Sequence, residues 1–137
     1  MRTHTLRPTV TLAQSEHAVL LALAARGGGA LASAAESLMN ELERARVVPD
    51  ARLPADVVRM GSHVQYRTDR DEVLDVTLVY PEQADIAEGR VSVLTPVGAA
   101  LIGLRTGQSI TWESRDGRKH VLTVTSVIQP SETSVEA

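Results

Sequence analysis

Residues 91–112 read VSVLTPVGAALIGLRTGQSITW, and the order in which this stretch starts and stops its elements decides the fold. Val91 to Leu94 is a short strand-like run. Thr95 follows with a hydroxyl that can cap a helix, and Pro96 suits the first helical position, where its missing N–H is not needed. Val97 to Ile102 makes one small apolar helix. Gly103 suits the left-handed position that closes it, and Gly107-Gln108 turns the chain into the strand Ser109 to Trp112. A helix this short has little stability alone. Ala99, Ala100, Leu101 and Ile102 must therefore lie against a sheet, with the small residues setting how closely helix and sheet approach.

Working outward, the same strand logic holds on both sides. Ile110 and Trp112 begin a hairpin whose turn is Asp116-Gly117 and whose return strand is Val121 to Val127. Upstream, Val64, Tyr66 and Thr68 alternate with polar residues, as do Leu74, Val76, Leu78 and Tyr80, with Asp69-Arg70-Asp71 as the turn between them. Pro81 ends that strand, and Glu82 to Gly89 is an acidic connection with room for a helical turn. Val47 to Pro54, carrying Pro49 and Pro54, reads as a linker.

Before the linker the period becomes helical. Residues 1–10 read as a frayed lead-in. Thr11-Leu12-Ala13-Gln14 has the spacing of a capping box for a helix from about Leu12 to Ala25, which Gly27-Gly28-Gly29 stops. A second helix from about Ala30 to Arg46 carries Leu31, Ala35, Leu38, Leu42 and Ala45 at coiled-coil spacing, with Leu12, Val19 and Leu23 as the facing stripe. The expected pair is an antiparallel helical hairpin with arms of about 20–25 Å and its tip at Arg26, Gly27, Gly28, Gly29 and Ala30. The expected fold class is α+β. The hairpin occupies residues 1–48, the linker 49–56, a mostly antiparallel sheet with one short helix 57–130, and a disordered tail 131–137. Two readings of the hairpin stay open: it packs onto the sheet as core, or it presents a face to a partner, since both explain a regular apolar seam.

Composition narrows function. With no cysteine the chain has no disulfide, no thiolate nucleophile and no cysteine-ligated zinc. A net charge of −3 gives no basic footprint for nucleic acid, so no direct sequence-specific binding to DNA or RNA is expected. No window is long and apolar enough for a membrane span, and Met1 to His4 is not followed by a signal-peptide core, so a soluble, cytoplasmic protein is expected; a monomer is also expected. One Trp, two Tyr and no Phe leave little from which to build a stacking pocket.

Catalytic and metal signals are weak. His4, His17, His63 and His120 lack ligand spacing and read as surface or structural residues. Asp69, Asp71, Glu72 and Asp75 lack the glycine and terminal Glu of a calcium loop and read as a solvated turn. Ser62, Ser92 and Ser109 have no evident base, and no phosphate-binding glycine motif follows a strand. No cofactor, no metal and no catalytic residue is expected.

Leu78-Val79-Tyr80-Pro81, Val91-Ser92-Val93, Thr95 to Leu104 and Gly107 to Glu113 together closely resemble the regulator of nucleoside diphosphate kinase (Rnk) family. That family shares its C-terminal domain with the transcript-cleavage factors GreA and GreB, whose motif reads Ser-Pro-x-Gly-x-Ala-Leu-x-Gly followed by Gly-Asp. The resemblance covers about residues 57–130. It implies an FKBP-like sheet domain that docks on bacterial RNA polymerase near the rim of the secondary channel. The positions matching the polymerase-contacting loop are Leu94, Thr95 and Pro96, with Thr95 in place of Ser and Gln108 in place of Asp. Cleavage factors carry acidic residues at the tip of a long coiled coil, whereas residues 26–30 here hold no carboxylate and Glu16 and Glu36 lie well back. The resemblance therefore implies docking without transcript cleavage, competition with cleavage factors for the same rim, and a non-enzymatic effect on gene expression including nucleotide metabolism. A peptidyl-prolyl isomerase is the alternative that an FKBP-like fold raises, though Tyr66, Tyr80 and Trp112 are few rings for such a pocket. Direct contact with nucleoside diphosphate kinase is a third reading.

Overall fold

The computed structural model describes residues 6–27, 32–114 and 116–129. Among these the chain runs through β1 (Thr11–Ala13), α1 (Gln14–Ala25), α2 (Ala32–Arg44), β2 (Arg46–Val48), β3 (His63–Thr68), β4 (Val73–Val79), β5 (Arg90–Ser92), α3 (Pro96–Leu101), β6 (Ser109–Glu113) and β7 (Lys119–Ile128). Short 3-10 turns occupy Asp50–Arg52, Pro81–Gln83 and Ile86–Glu88. The expected α+β class holds, with a five-stranded sheet ordered β5-β4-β3-β7-β6 in which only β4 and β5 pair in parallel.

The sheet's turns follow from local chemistry. Gly117 at φ +84° makes the β6–β7 reversal, and Asp71 takes φ +63° in the β3–β4 turn, which Thr68 closes by bonding Glu72. Val64, Tyr66, Leu78, Ile110, Leu122 and Val124 alternate inward. The opposite face carries polar cross-strand contacts, such as Thr77 Oγ1 with His63 Nδ1 at 2.9 Å and Gln65 with Asp75 at 3.3 Å. Burial pushes the Tyr66 phenol above its ordinary pKa.

The two long helices run side by side in opposite directions. His17, near the start of α1, lies 2.9 Å from the carbonyl of Leu42 near the end of α2, while Gly27 meets Ala35 so closely that a Cβ would fall 2.3 Å from the Ala35 Cβ. Their buried residues Leu20, Ala24, Ala35, Leu38 and Leu42 belong to the same cluster as Val64, Leu78, Leu101, Ile110 and Leu122. The apolar seam is thus core, continuous with the sheet. A leucine such as Leu20, fully buried, contributes about 2 kcal/mol by leaving water.

Four expectations are corrected here. Thr11 to Ala13 is a strand, not a capping box: Thr11 N–H bonds Gly103 O at 3.0 Å and β1 pairs in parallel with β2. The cap of α1 comes from a distance, where Asp50 accepts hydrogen bonds from the backbone N–H (3.0 Å) and hydroxyl of Ser15. Those two bonds, the hydroxyl's first, hold the Asp50 carboxyl below the usual range. Val47 and Val48 lie in β2 rather than a linker. Val19 is 52% exposed and not part of the seam, because α1 is apolar nearly all round and packing selects Leu20 and Ala24 instead. The lead-in is also ordered from Leu6 onward, with Val10 fully buried. Gly28 to Leu31, His4 and the tail from Pro130 lie outside the described residues. Among those described, no helix is long and apolar enough to cross a membrane.

Candidate functional site

The expected docking residues Leu94, Thr95 and Pro96 sit in a loop fastened from inside. Ser92 Oγ accepts from Leu94 N–H at 2.9 Å. The Thr95 hydroxyl donates to Ser92 O at 2.7 Å and accepts from Gly98 N–H at 3.1 Å, capping α3 as its sequence requires. Gly98 is there because nothing larger fits: a Cβ would lie 2.0 Å from Ser92 O. Gly103 ends the helix at φ +81° with Val10 against it, where a Cβ would stand 2.8 Å from the Val10 side chain. These contacts fix the position of Pro96 relative to the sheet.

The three residues are not equivalent. Leu94 is 3% exposed and belongs to the core, so its side chain seats the loop. Thr95 and Pro96 are half-buried and reach the surface. Pro96 borders a cavity of about 150 Å³ between α2, α3 and β6, with Ala99, Ala100, Ile110 and Trp112 as apolar lining and Arg7, Ser37, Asn40, Glu41, Thr111 and Glu113 as polar lining.

Sequence reading missed the charged clamp beside that cavity. Glu41, 9% exposed, meets Arg44 at 2.5 Å and Arg7 at 3.5 Å, and Arg44 also donates to Pro8 O at 2.7 Å. Glu41 is the buried member of α2's inner face that a leucine-counting pattern passes over. Its partner Arg7 lies 34 residues away, so no local spacing reveals the pair.

At the other expected site, Arg26 is exposed, with its N–H bonding back to the end of α1, and Gly27 packs on Ala35. Gly28, Gly29 and Ala30 of the tip lie outside the described residues. Glu16, in the first turn of α1, is held 3.3 Å from Arg59 Nε and 3.2 Å from Met60 N–H.

The described histidines are engaged structurally. His17 and His63 make the contacts given above. His120 stacks on Trp112 at 4.8 Å and lies 3.0 Å from Ser114 Oγ. That hydroxyl also bonds Asp116, whose carboxyl is held below the usual range mainly by this bond. The Ser–His–Asp trio is therefore wired with serine between the other two, which pins the β6–β7 turn and leaves the serine proton on the carboxylate side rather than on a base. Among the described residues no cluster of three or more His, Asp or Glu is arranged to hold a metal ion.

Residues 53–129 match the family described as Transcription elongation factor, GreA/GreB, C-term. A "Regulator of nucleoside diphosphate kinase" from Escherichia coli strain K12 is 46% identical over 84 residues, 61% of this chain and 62% of that protein. A "Transcription elongation factor GreA" from Chlorobaculum parvum is 36% identical over 85 residues, 61% of this chain and 54% of that protein. The chain thus spans under two thirds of the length of these curated relatives. A solved structure, "Prokaryotic transcription elongation factor GreA/GreB from Nitrosomonas europaea", is 31% identical with a TM-score of 0.69, covering 89% of this chain and 99% of that one. The matched segment contains the whole Ser92–Gly103 loop and helix, and the chain belongs to the GreA/GreB C-terminal family of transcription elongation factors.

Proposed function

We propose that this protein is a cytoplasmic, non-enzymatic transcription regulator that binds bacterial RNA polymerase near the secondary channel through the loop containing Thr95 and Pro96. The observation that carries this reading is the family match over residues 53–129, which encloses a loop held rigid by Thr95 and Gly98. A preorganised loop loses little freedom on docking, which favours its use as a contact. The names of the relatives, a kinase regulator and elongation factors, support a role in transcription whose effects extend to nucleoside diphosphate kinase. The sheet is read as FKBP-like, the partner as protein rather than nucleic acid or membrane, and the protein as a monomer.

Docking without transcript cleavage is part of the proposal. α1 and α2 have 12 and 13 residues, so each spans only about 20 Å. Arg26 and Gly27 supply no carboxylate, and Glu16 is tied to Arg59. Delivering oxygen ligands to a metal in a deep channel needs both reach and acid. The isomerase alternative gains no observation, since the cavity beside Pro96 has Trp112 as its single aromatic lining residue. The test is binding of folded Pro96→Ala and Thr95→Arg variants to core polymerase, together with a transcript-cleavage assay of the wild type. Weakened binding by both variants and no stimulated cleavage are expected. Unchanged affinity in both would remove the proposed contact, and cleavage by the wild type would overturn the non-enzymatic reading.

A further inference from the structure

The segment that leads into β3, residues 55–62, touches both ends of the docking loop and its helix. At the exit, Val58 N–H donates to Leu104 O at 2.8 Å and Gly103 N–H donates to Val58 O at 2.9 Å, a two-bond clasp on the end of α3. Thr106 N–H reaches Asp56 O at 3.2 Å, and the Asp56 carboxylate meets Arg105 at 3.1 Å. At the entry, Gly61 N–H donates to Leu78 O at 2.6 Å and Leu78 N–H donates to Ser62 O at 3.0 Å. One residue further along β4, Val79 O accepts from Val93 N–H at 2.9 Å, immediately before Leu94. The bonds of Thr95 and the close fit of Gly98 give the docking loop its shape; residues 55–62 hold the two ends from which it is hung.

What shapes this segment is a buried amide. Gln129, directly after β7, is 8% exposed, and Ser62 is fully buried. Gln129 Nε2 donates to Ala55 O at 2.8 Å and to Val57 O at 2.6 Å, while Gln129 Oε1 accepts from the Ser62 hydroxyl at 2.8 Å. That hydroxyl in turn accepts from Arg59 N–H at 2.8 Å. One planar side chain thus bonds both ends of the segment, and Val57 adjoins the residue that clasps α3. Buried carbonyls that lose such a donor keep the full cost of leaving water, so the amide dictates the segment's path.

We propose that Gln129 is a positioning residue for polymerase docking: its amide fixes residues 55–62 and, through Val58 and Leu78, sets where Thr95 and Pro96 stand relative to the sheet. The proposal rests on the docking reading given above. A contact loop whose ends are already placed loses little freedom when it binds, whereas one hung from a loosened segment must be reordered at each encounter. Gln129 touches no partner in this role; it acts through the backbone that it holds.

The test compares the full-length wild type, Gln129→Leu and, as a control for destabilisation alone, Leu20→Ala, at a temperature where each is folded. Hydrogen exchange is read at Val58, Gly103 and Gly98, and affinity is read with core RNA polymerase. Gln129→Leu should exchange about tenfold faster than Leu20→Ala at Val58 and Gly103 but no faster at Gly98, whose N–H is bonded by Thr95. It should also bind about threefold more weakly than wild type, with Leu20→Ala binding as wild type does. Ser62→Ala, which leaves both amide donors in place, should shift the same readings in the same direction by less, and it carries the test if Gln129→Leu does not fold. Unchanged exchange at Gly103, wild-type affinity in a variant that has lost that protection, or equal weakening by Leu20→Ala overturns the assignment. If the wild type itself does not bind, the docking reading fails and this role with it, whereas equal binding by wild type and variants refutes Gln129 alone.

Discussion

The loop from Ser92 to Gly103 and the start of α1 each solve the same problem, ending an apolar element cleanly, by opposite means. At the loop the capping contacts lie within a few residues: Thr95 bonds Ser92 and Gly98, and Gly98 is small because Ser92 is beside it. At α1 the neighbours do nothing, and Asp50 caps the helix from 35 residues away while β1 pairs with β2. The first arrangement is specified by neighbouring residues alone. The second ties the helical pair to the segment entering the sheet, so helices and sheet stand or fall together.

The comparison is broken most severely at Gly98. Gly98→Ala places a methyl 2.0 Å from Ser92 O, and the displacement should destabilise by about 3 kcal/mol in urea unfolding, at the upper end for overpacking. Leu20→Ala should lower stability by a similar amount, about 2–4 kcal/mol, if helices and sheet share one core. One cooperative transition by helical and Trp112 signals would support that sharing, and two separate transitions would contradict it. Thr95→Val keeps the shape and removes both hydroxyl bonds, which should cost about 1 kcal/mol, whereas Thr95→Ser should be near neutral.

Asp50→Asn should produce a smaller change, seen as lost helicity at neutral pH. Because the folded carboxyl titrates below its unfolded value, its stabilisation is present above the unfolded pKa and disappears as pH falls through the folded one. The difference in thermal stability between wild type and Asp50→Asn should therefore begin to shrink as pH falls below about 4 and vanish only once pH is below the lowered pKa of the folded carboxyl. A difference that persists undiminished in strong acid would assign the effect to something other than the charge. Val19→Glu should have the least effect, within about 0.5 kcal/mol, as its side chain already faces water.

The same contrast explains what could be read in advance. Thr95, Pro96, Gly103 and Gly117 specify their conformations through their own covalent chemistry, so the strand–helix–strand unit and the hairpins were legible from spacing. Val19 and Leu20 are chemically alike on a helix with apolar residues on all sides, and only the sheet beneath decides which is buried. Thr11 and Gln14 have capping-box spacing, but Gly103 and Arg46 capture the backbone around Thr11 first. Glu41 and Arg7 meet through tertiary folding alone, which is why the wall of the cavity beside Pro96 stayed hidden while Pro96 itself did not.

The central claim is a shared docking site on polymerase, and the most direct measurement is equilibrium binding of the wild-type protein to core RNA polymerase, titrated with a GreA-type factor. Saturable binding that the factor displaces competitively is the predicted result. No binding at micromolar concentrations, or binding that the factor leaves untouched, would contradict it.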